Sequence, residues 1–180
     1  MTCSYLVVGL ADVLGPGVFR DTFMKKRKQS GFSLIELLIV VAIILVIAAI
    51  AIPNLMASRM AANESAAAHE MRAIITGEVT YSTTYNIGFS AALTDLGGSG
   101  VATSTNAQLI DTVLAAGRES GYSFVYGPTY VDAAGHYNGF TLNGNPLSLG
   151  SSGRRFFYTD QTGVIRANYT APATATDPAI

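Results

Sequence analysis

The chain has 180 residues, enough for one domain with a real core and short of two ordinary ones. Hydrophobic residues make up 49% of it and charged residues only 13%, and the apolar excess is gathered in one run rather than spread evenly. The formal charge of -1 conceals an asymmetry: Arg20, Lys25, Lys26, Arg27 and Lys28 precede Gly31, whereas beyond it six arginines face ten acids, a net of -4 with no lysine, which excludes an electrostatic footprint for nucleic acid.

The only cysteine, Cys3, lies ahead of the apolar run, so a disulfide within the chain is impossible and a thiolate metal site lacks ligands. From Phe32 to Ile52 there are 21 residues, all apolar except Ser33 and Glu36, which matches the ~20 residues a helix needs to cross a bilayer. The basic block Lys25 to Lys28 just before it should stay cytoplasmic, with everything after Pro53 on the other side. Three readings of the run are open. A secretory signal peptide would be cut after Ala51, since Ala49-Ile50-Ala51 has the small-residue pattern of such a site, and would release a soluble binding protein beginning at Ile52. An uncleaved anchor would simply tether the residues beyond Pro53 to the membrane. Both leave Glu36 unexplained, although an acid within a membrane helix costs roughly 2.5 to 3.5 kcal/mol and ionisable groups there are functional by default.

The stretch Lys25-Lys26-Arg27-Lys28-Gln29-Ser30-Gly31 followed by Phe32-Ser33-Leu34-Ile35-Glu36 resembles the cleavage and assembly motif of the type IV pilin family, and the likeness runs on through Leu37 to Asn54. The resemblance implies that prepilin peptidase cuts between Gly31 and Phe32, that the new amine of Phe32 is N-methylated, and that the apolar helix is kept. It implies a homo-oligomer, a helical filament in which Glu36 meets the Phe32 ammonium of a neighbouring subunit and sets axial register. The partners so implied are the peptidase, an inner-membrane assembly machinery, and the membrane itself before assembly. Residues 1–31 are then the leader. It is long for this family, and Met24 offers an eight-residue alternative ending at Gly31, so residues 1–23 are expected to be a mis-assigned start.

Pro53 closes the run, cannot donate its backbone hydrogen bond, and should kink the helix just ahead of it. The helix is expected to continue from residue 53 to Tyr85, because Met56, Met60, Ala67, Met71, Ile74 and Ile75 recur at near-heptad spacing. Arg59, Asn63 and Glu70 are placed elsewhere on the cylinder. From Phe32 this gives a rod of 54 residues and about 80 Å, its first half protruding and its second half backing a small domain, with Gly77 as its weak point.

After Tyr85 the composition turns to Gly, Ser, Thr and Asn, and Gly97, Gly98 and Gly100 mark an exposed loop. Ala107 to Ala116 is expected to be helical, with Thr105 or Asn106 as N-cap and Gly117 as stop. From Gly121 the period becomes two: Tyr122, Phe124 and Tyr126 alternate with Ser123 and Val125, and Phe140 and Leu142 flank Thr141. Arg154 to Thr159 and Val164 to Asn168 form a further strand pair around Asp160-Gln161-Thr162-Gly163. The fold class is α+β, a long N-terminal helix packed on a small antiparallel sheet. Residues 86–180 form the globular head, and the tail from Ala171 to Ile180 is expected to be extended or mobile.

No catalytic, metal or cofactor pattern stands out. His69-Glu70 lacks the second histidine of a zinc protease, His136 has no neighbouring ligands, and Asp132, Asp160 and Asp177 lack calcium-loop spacing, which leaves only a calcium site built from separate loops. No nucleophile elbow accompanies the serines. Tyr81, Tyr85 and the strand aromatics read as packing. Asn63-Glu64-Ser65 and Asn168-Tyr169-Thr170 fit a glycosylation pattern that chance also produces. The leading reading is a type IV pilus subunit acting in adhesion, twitching motility or DNA uptake. The alternatives are a pseudopilin of a type II secretion system and a secreted soluble binding domain cut after Ala51.

Overall fold

The computed structural model describes residues 31–180. The leader up to Ser30, with Cys3, Met24 and the basic block, lies outside the described residues. By internal contacts the chain divides into two units, one ending at Ala42 and one running from Ile43 to Ile180. In the described part of the first unit, helix α1 begins at Leu34; α1 as a whole runs Leu34–Tyr85, 52 residues or about 78 Å. It is helical through Pro53, where the missing donor leaves the Ala49 carbonyl without its usual partner. It stops where Asn86 takes a left-handed conformation, φ 54°, one of the few non-glycine residues that does so cheaply.

Within the second unit one seam of α1 packs on the rest. Met60, Glu64, Ala67, Met71, Ile74, Glu78 and Tyr81 are all buried and follow each other at alternating steps of four and three. This is the heptad spacing that keeps one stripe of a helix facing a single surface. Ile75 is half-buried, but Met56 is exposed, so the packed part of the helix starts at Met60.

Facing the seam is an antiparallel meander in the order β1 to β5: Arg118–Glu119, Tyr122–Val131, Tyr137–Pro146, Phe156–Asp160 and Arg166–Asn168. Alternation puts Tyr122, Phe124, Phe140, Leu142 and Phe157 against α1. Phe140 is met edge-on by Phe89 at 5.0 Å and stacked by Tyr126 at 5.7 Å. Gly163 turns the β4–β5 connection at φ 73°, as its position in the sequence suggests, and the Asp160 carboxylate accepts from the Thr162 amide at 2.9 Å to close that turn.

One segment differs from expectation. Helix α2 is only Thr112–Ala115, and its N-cap is Asp111, whose Oδ1 accepts from the Val113 amide at 2.7 Å. Residues from Ala107 to Ile110 cannot join it because their amides donate to the carbonyls of Asp95, Gly97 and Leu96, at the end of a 3-10 turn Leu93–Leu96. Gln108 is left-handed there, φ 54°, which breaks helical periodicity. The tail is extended and tied down: Ala167 donates to the Pro178 carbonyl at 3.0 Å, Ile180 to Ile165 at 3.0 Å, and the Asn143 side chain to Ala173 at 3.0 Å.

Gly77 has a packing role. A Cβ there would lie 3.1 Å from Ile110 Cγ2, with Leu96 and Leu109 beyond, so the missing side chain lets the loop seat against α1. Gly77→Ala gains up to about 1 kcal/mol of helix propensity against that tight contact and should be nearly neutral. Gly77→Leu should cost about 1–3 kcal/mol by overpacking, read as a lower denaturant midpoint of the full chain in detergent. An unchanged midpoint would mean that the loop is not held against the helix.

Candidate functional site: the start of α1 and its ties to the sheet

Among the described residues α1 is the one helix long and apolar enough to cross a membrane, and none of its apolar window is buried in the fold. Phe32 is 73% exposed and the side chains from Leu34 to Ile47 are similarly bare, so among the described residues they have no packing partners. Gly31 precedes the helix with open space around it, and Phe32 and Ser33 are not yet helical.

Glu36 sits three residues after Ser33, where the helix starts, and its Oε2 accepts a hydrogen bond from the Ser33 amide at 2.9 Å. The Leu37 amide donates to the Ser33 carbonyl at 3.2 Å, so Ser33 stands at the N-cap position. A helix start leaves four amides without partners, and a carboxylate in the first turn satisfies one of them and favours the positive end of the helix dipole. The bond occupies one lone pair of one oxygen, leaving Oε1 able to accept a cation. Within the chain, then, Glu36 already has a local partner.

Further along, three more carboxylates of α1 are buried, and each binds a different part of the sheet unit. Glu64 accepts from the Arg155 guanidinium at 2.7 Å and from the Arg154 amide at 2.7 Å. Burial alone would push its carboxyl up, but the Arg154 amide and the Arg155 side chain outweigh that and hold it below the usual carboxylate range. Glu70 accepts from the Ser120 hydroxyl at 2.5 Å, while its Oε2 is buried without a partner among the described residues. Burial raises its pKa, opposed by the Ser120 bond and reinforced by the charge of Glu119. Glu78 is 0% exposed and accepts from the Ser90 hydroxyl at 2.6 Å and the Ser90 amide at 3.0 Å. Nearby, the Tyr126 hydroxyl donates to the Ser90 carbonyl at 2.9 Å. No cation among the described residues faces Glu78, and burial pushes its pKa up despite these donors.

The expectation that Glu70 lies off the packed face is therefore corrected: the β1–β2 turn folds over it and supplies Ser120. Glu64 stands out in the sequence only as the middle of a glycosylation tripeptide and Glu78 not at all, yet a signal is there. Both fall on the four-three seam of apolar residues, where an acid is out of place unless something binds it.

The other candidates do not converge. His69 is exposed, and His136 lies 3.5 Å from the Asp132 carboxylate within one hairpin turn. Asp132, Asp160 and Asp177 each cap their own local turn, and among the described residues no group of three potential ligands comes together. The amide nitrogens of Asn63 and Asn168 donate to the Ser152 carbonyl and the Asp177 carboxylate, at 2.8 Å each. Tyr81 and Tyr85 pack with tilted rings, centroids 4.9 Å apart, at the end of α1.

Comparison with known proteins centres on the start of the chain. Residues 26–52 match a family profile described as the prokaryotic N-terminal methylation motif. The type IV wide pilus major component PilA4 of Thermus thermophilus is 59% identical over 39 residues, 22% of this chain and 30% of that protein. Type II secretion system core protein G of Aeromonas hydrophila is 37% identical over 51 residues, 28% of this chain and 36% of that protein. The chain thus spans about a third of the length of each of these curated relatives. No solved structure matches.

The carboxylates make stability depend on pH in opposite senses. Glu78, raised above its ordinary 4.5, contributes stability that is fully present below pH 4.5 and is lost as pH rises through its folded value; Glu70 acts in the same sense. Glu64, lowered, contributes stability that is present above pH 4.5 and is lost as pH falls through its folded value. Glu78→Gln should flatten the decline of stability above pH 4.5 in denaturant titrations, whereas Arg155→Ala should cost about 1.5–3 kcal/mol at neutral pH. A Glu78→Gln profile parallel to that of the unchanged protein would show that the buried group does not titrate in this window.

Proposed function

We propose, for a chain that is type IV pilin-like in its N-terminal motif and in its α+β fold, that it is the structural subunit of a type IV pilus and not an enzyme. In this reading prepilin peptidase cuts after Gly31, Phe32 becomes the N-methylated N-terminus, and the apolar part of α1 passes from the inner membrane into a filament core. The head lies outside the cytoplasm before assembly and on an extracellular pilus afterwards, serving adhesion, twitching motility or DNA uptake. The observation that carries the reading is the coincidence of Gly31-Phe32 and Glu36 with a helix whose apolar window has no buried residue among the described residues.

The physical logic of assembly is pairing of charge. Cleavage creates an ammonium on Phe32, and the free Oε1 of Glu36 on an adjacent, axially offset subunit is suited to accept it. Either charge alone would be costly in a dry helical bundle, so the pair selects one register more than it adds stability. Ala42, Ala48, Ala49 and Ala51 among Leu, Ile and Val allow close helix approach in lipid or protein alike. Pro53 is the place where α1 is expected to yield during that transfer.

The likeness to core protein G supports a second reading, a pseudopilin of a type II secretion machine with the same N-terminal chemistry. Deletion separates the two: loss of surface filaments with secretion intact supports the pilus, and loss of secretion in cells that never bore filaments supports the pseudopilus. Glu36→Ala should be inserted and processed normally, yet leave filaments scarce by electron microscopy of sheared surface fractions. Abundant normal filaments from that variant would remove Glu36 from assembly.

A further inference from the structure

Three of the six arginines of the sheet-bearing unit, Arg59, Arg154 and Arg155, gather at one level of α1. The β3–β4 loop from Leu147 to Arg155 is tied to the helix between Arg59 and Glu64, and the β1–β2 turn, bonded to α1 at Glu70, brings Gly121 beside Asn63. The Asn63 side chain donates to the Ser152 carbonyl at 2.8 Å, the Arg154 amide to Glu64 at 2.7 Å, and the Leu147 amide to the Gly121 carbonyl at 2.9 Å. Arg59, Asn63, Ser120, Gly121, Ser151 and Ser152 together line an open recess of about 280 Å³. Arg59 and Arg154 are exposed here, and Arg155 is held by Glu64. The other acids beside the recess are the half-buried Glu119 and the buried Glu70, which accepts from Ser120.

The same loop exposes two large apolar side chains, Leu147 at 54% and Leu149 at 61%. They are not on a slack tether. The Ser151 and Ser152 amides both donate to the Ser148 carbonyl, and the Gly150 amide donates to Gly153. Acids gather at a different level: Asp95 shares a recess with Tyr81, Asp132 closes the hairpin whose Tyr137 receives the Phe89 amide, and the turn starting at Asp160 packs Gly163 beside Ile75. Along the helix axis the two levels are ~25 Å apart.

The cationic level is also the one nearer the apolar run. From Ile52 to Arg59 is seven residues, about 10 Å of helix, and the headgroup layer beyond the hydrocarbon is roughly 5–8 Å thick. An extended arginine side chain spans the difference with its stem against apolar surface and its head on a phosphate. We propose that this face docks on the anionic phospholipid surface of the bilayer that holds the apolar run, with Arg59 and Arg154 meeting phosphates and Leu147 and Leu149 entering the headgroup layer. It rests on the reading of that run as a membrane span. The docked head is oriented before it joins a filament, and extraction of the subunit has to break this contact.

The test uses the full chain in vesicles of phosphatidylglycerol and phosphatidylethanolamine, with Cys3→Ser to clear the background. A fluorophore is placed singly by Ser151→Cys in the loop, Ala134→Cys in the far hairpin turn, or Ile44→Cys in the apolar run, and is quenched by nitroxide lipids. The label at 151 should be quenched by headgroup nitroxide, the label at 134 should not, and the label at 44 should be quenched by acyl-chain nitroxide. Arg59→Gln and Arg154→Gln should each weaken head docking about fivefold, and high salt should abolish it. An unquenched 151 beside a quenched 44 overturns the docking and leaves the span intact. If 44 is also unquenched, the span reading fails and the docking fails with it. Equal quenching of 151 in phosphatidylcholine vesicles removes the arginines from the account. Shielding of 151 that appears only at high protein-to-lipid ratio assigns the face to a second copy of the chain and likewise overturns the proposal.

Discussion

Everything beyond Pro53 depends on how one seam of α1 is held. The seam from Met60 to Tyr81 is apolar enough to drive packing on the sheet, but apolar contact alone tolerates sliding by a turn. Glu64 and Glu78, set within the seam, remove that freedom, because each buried carboxylate has its donors at one place only: Arg154 and Arg155 for the first, Ser90 for the second. A shifted register would leave a buried acid without partners, at a cost of several kcal/mol. Stability and specificity are thus separated, the first coming from Met71, Ile74, Phe140, Leu142 and Phe157, the second from the acids.

A single helix therefore meets two kinds of surrounding. Its first half is apolar around the whole circumference, which suits lipid or a bundle of like helices and gives no face of its own to a sheet. Its second half buries one apolar stripe and turns mostly small residues outward, with Val79 the large apolar exception beyond Met60. Ser58, Thr76 and Thr80 donate their hydroxyls to carbonyls one turn back on the same helix, so this outer face carries few unsatisfied groups. Pro53 stands at the boundary between the two regimes.

The strongest patterns in the sequence were those that act over short range or over many residues. The apolar run, the heptad spacing from Met60 onward and the alternation at Tyr122, Phe124 and Tyr126 all survive any tertiary context, and α1 ends at Tyr85 as its composition change suggests. What could not be read depended on distant partners. The segment Ala107 to Ile110 has helical spacing, but its amides are claimed by the 3-10 turn at Leu93–Leu96, which no local rule announces. The burial of Glu70 depends on Ser120, fifty residues away, in a turn where Ser120 itself adopts a left-handed φ of 48°. The tail composition suggests freedom, whereas the edge of β5 and the side chain of Asn143 supply partners for it. At the start of α1 the acid at Glu36 was conspicuous in sequence, while its bond to the Ser33 amide required the helix boundary to be known.

The central claim is that the bare apolar helix belongs to the mature subunit and begins at a newly made amine. The most direct measurement is the intact mass and N-terminal sequence of the protein recovered from the producing cells. The account predicts a chain starting at Phe32, its mass raised by one methyl group on the terminal nitrogen. A chain starting at Ile52 would contradict it, because the helix and Glu36 would then have been discarded with a signal peptide.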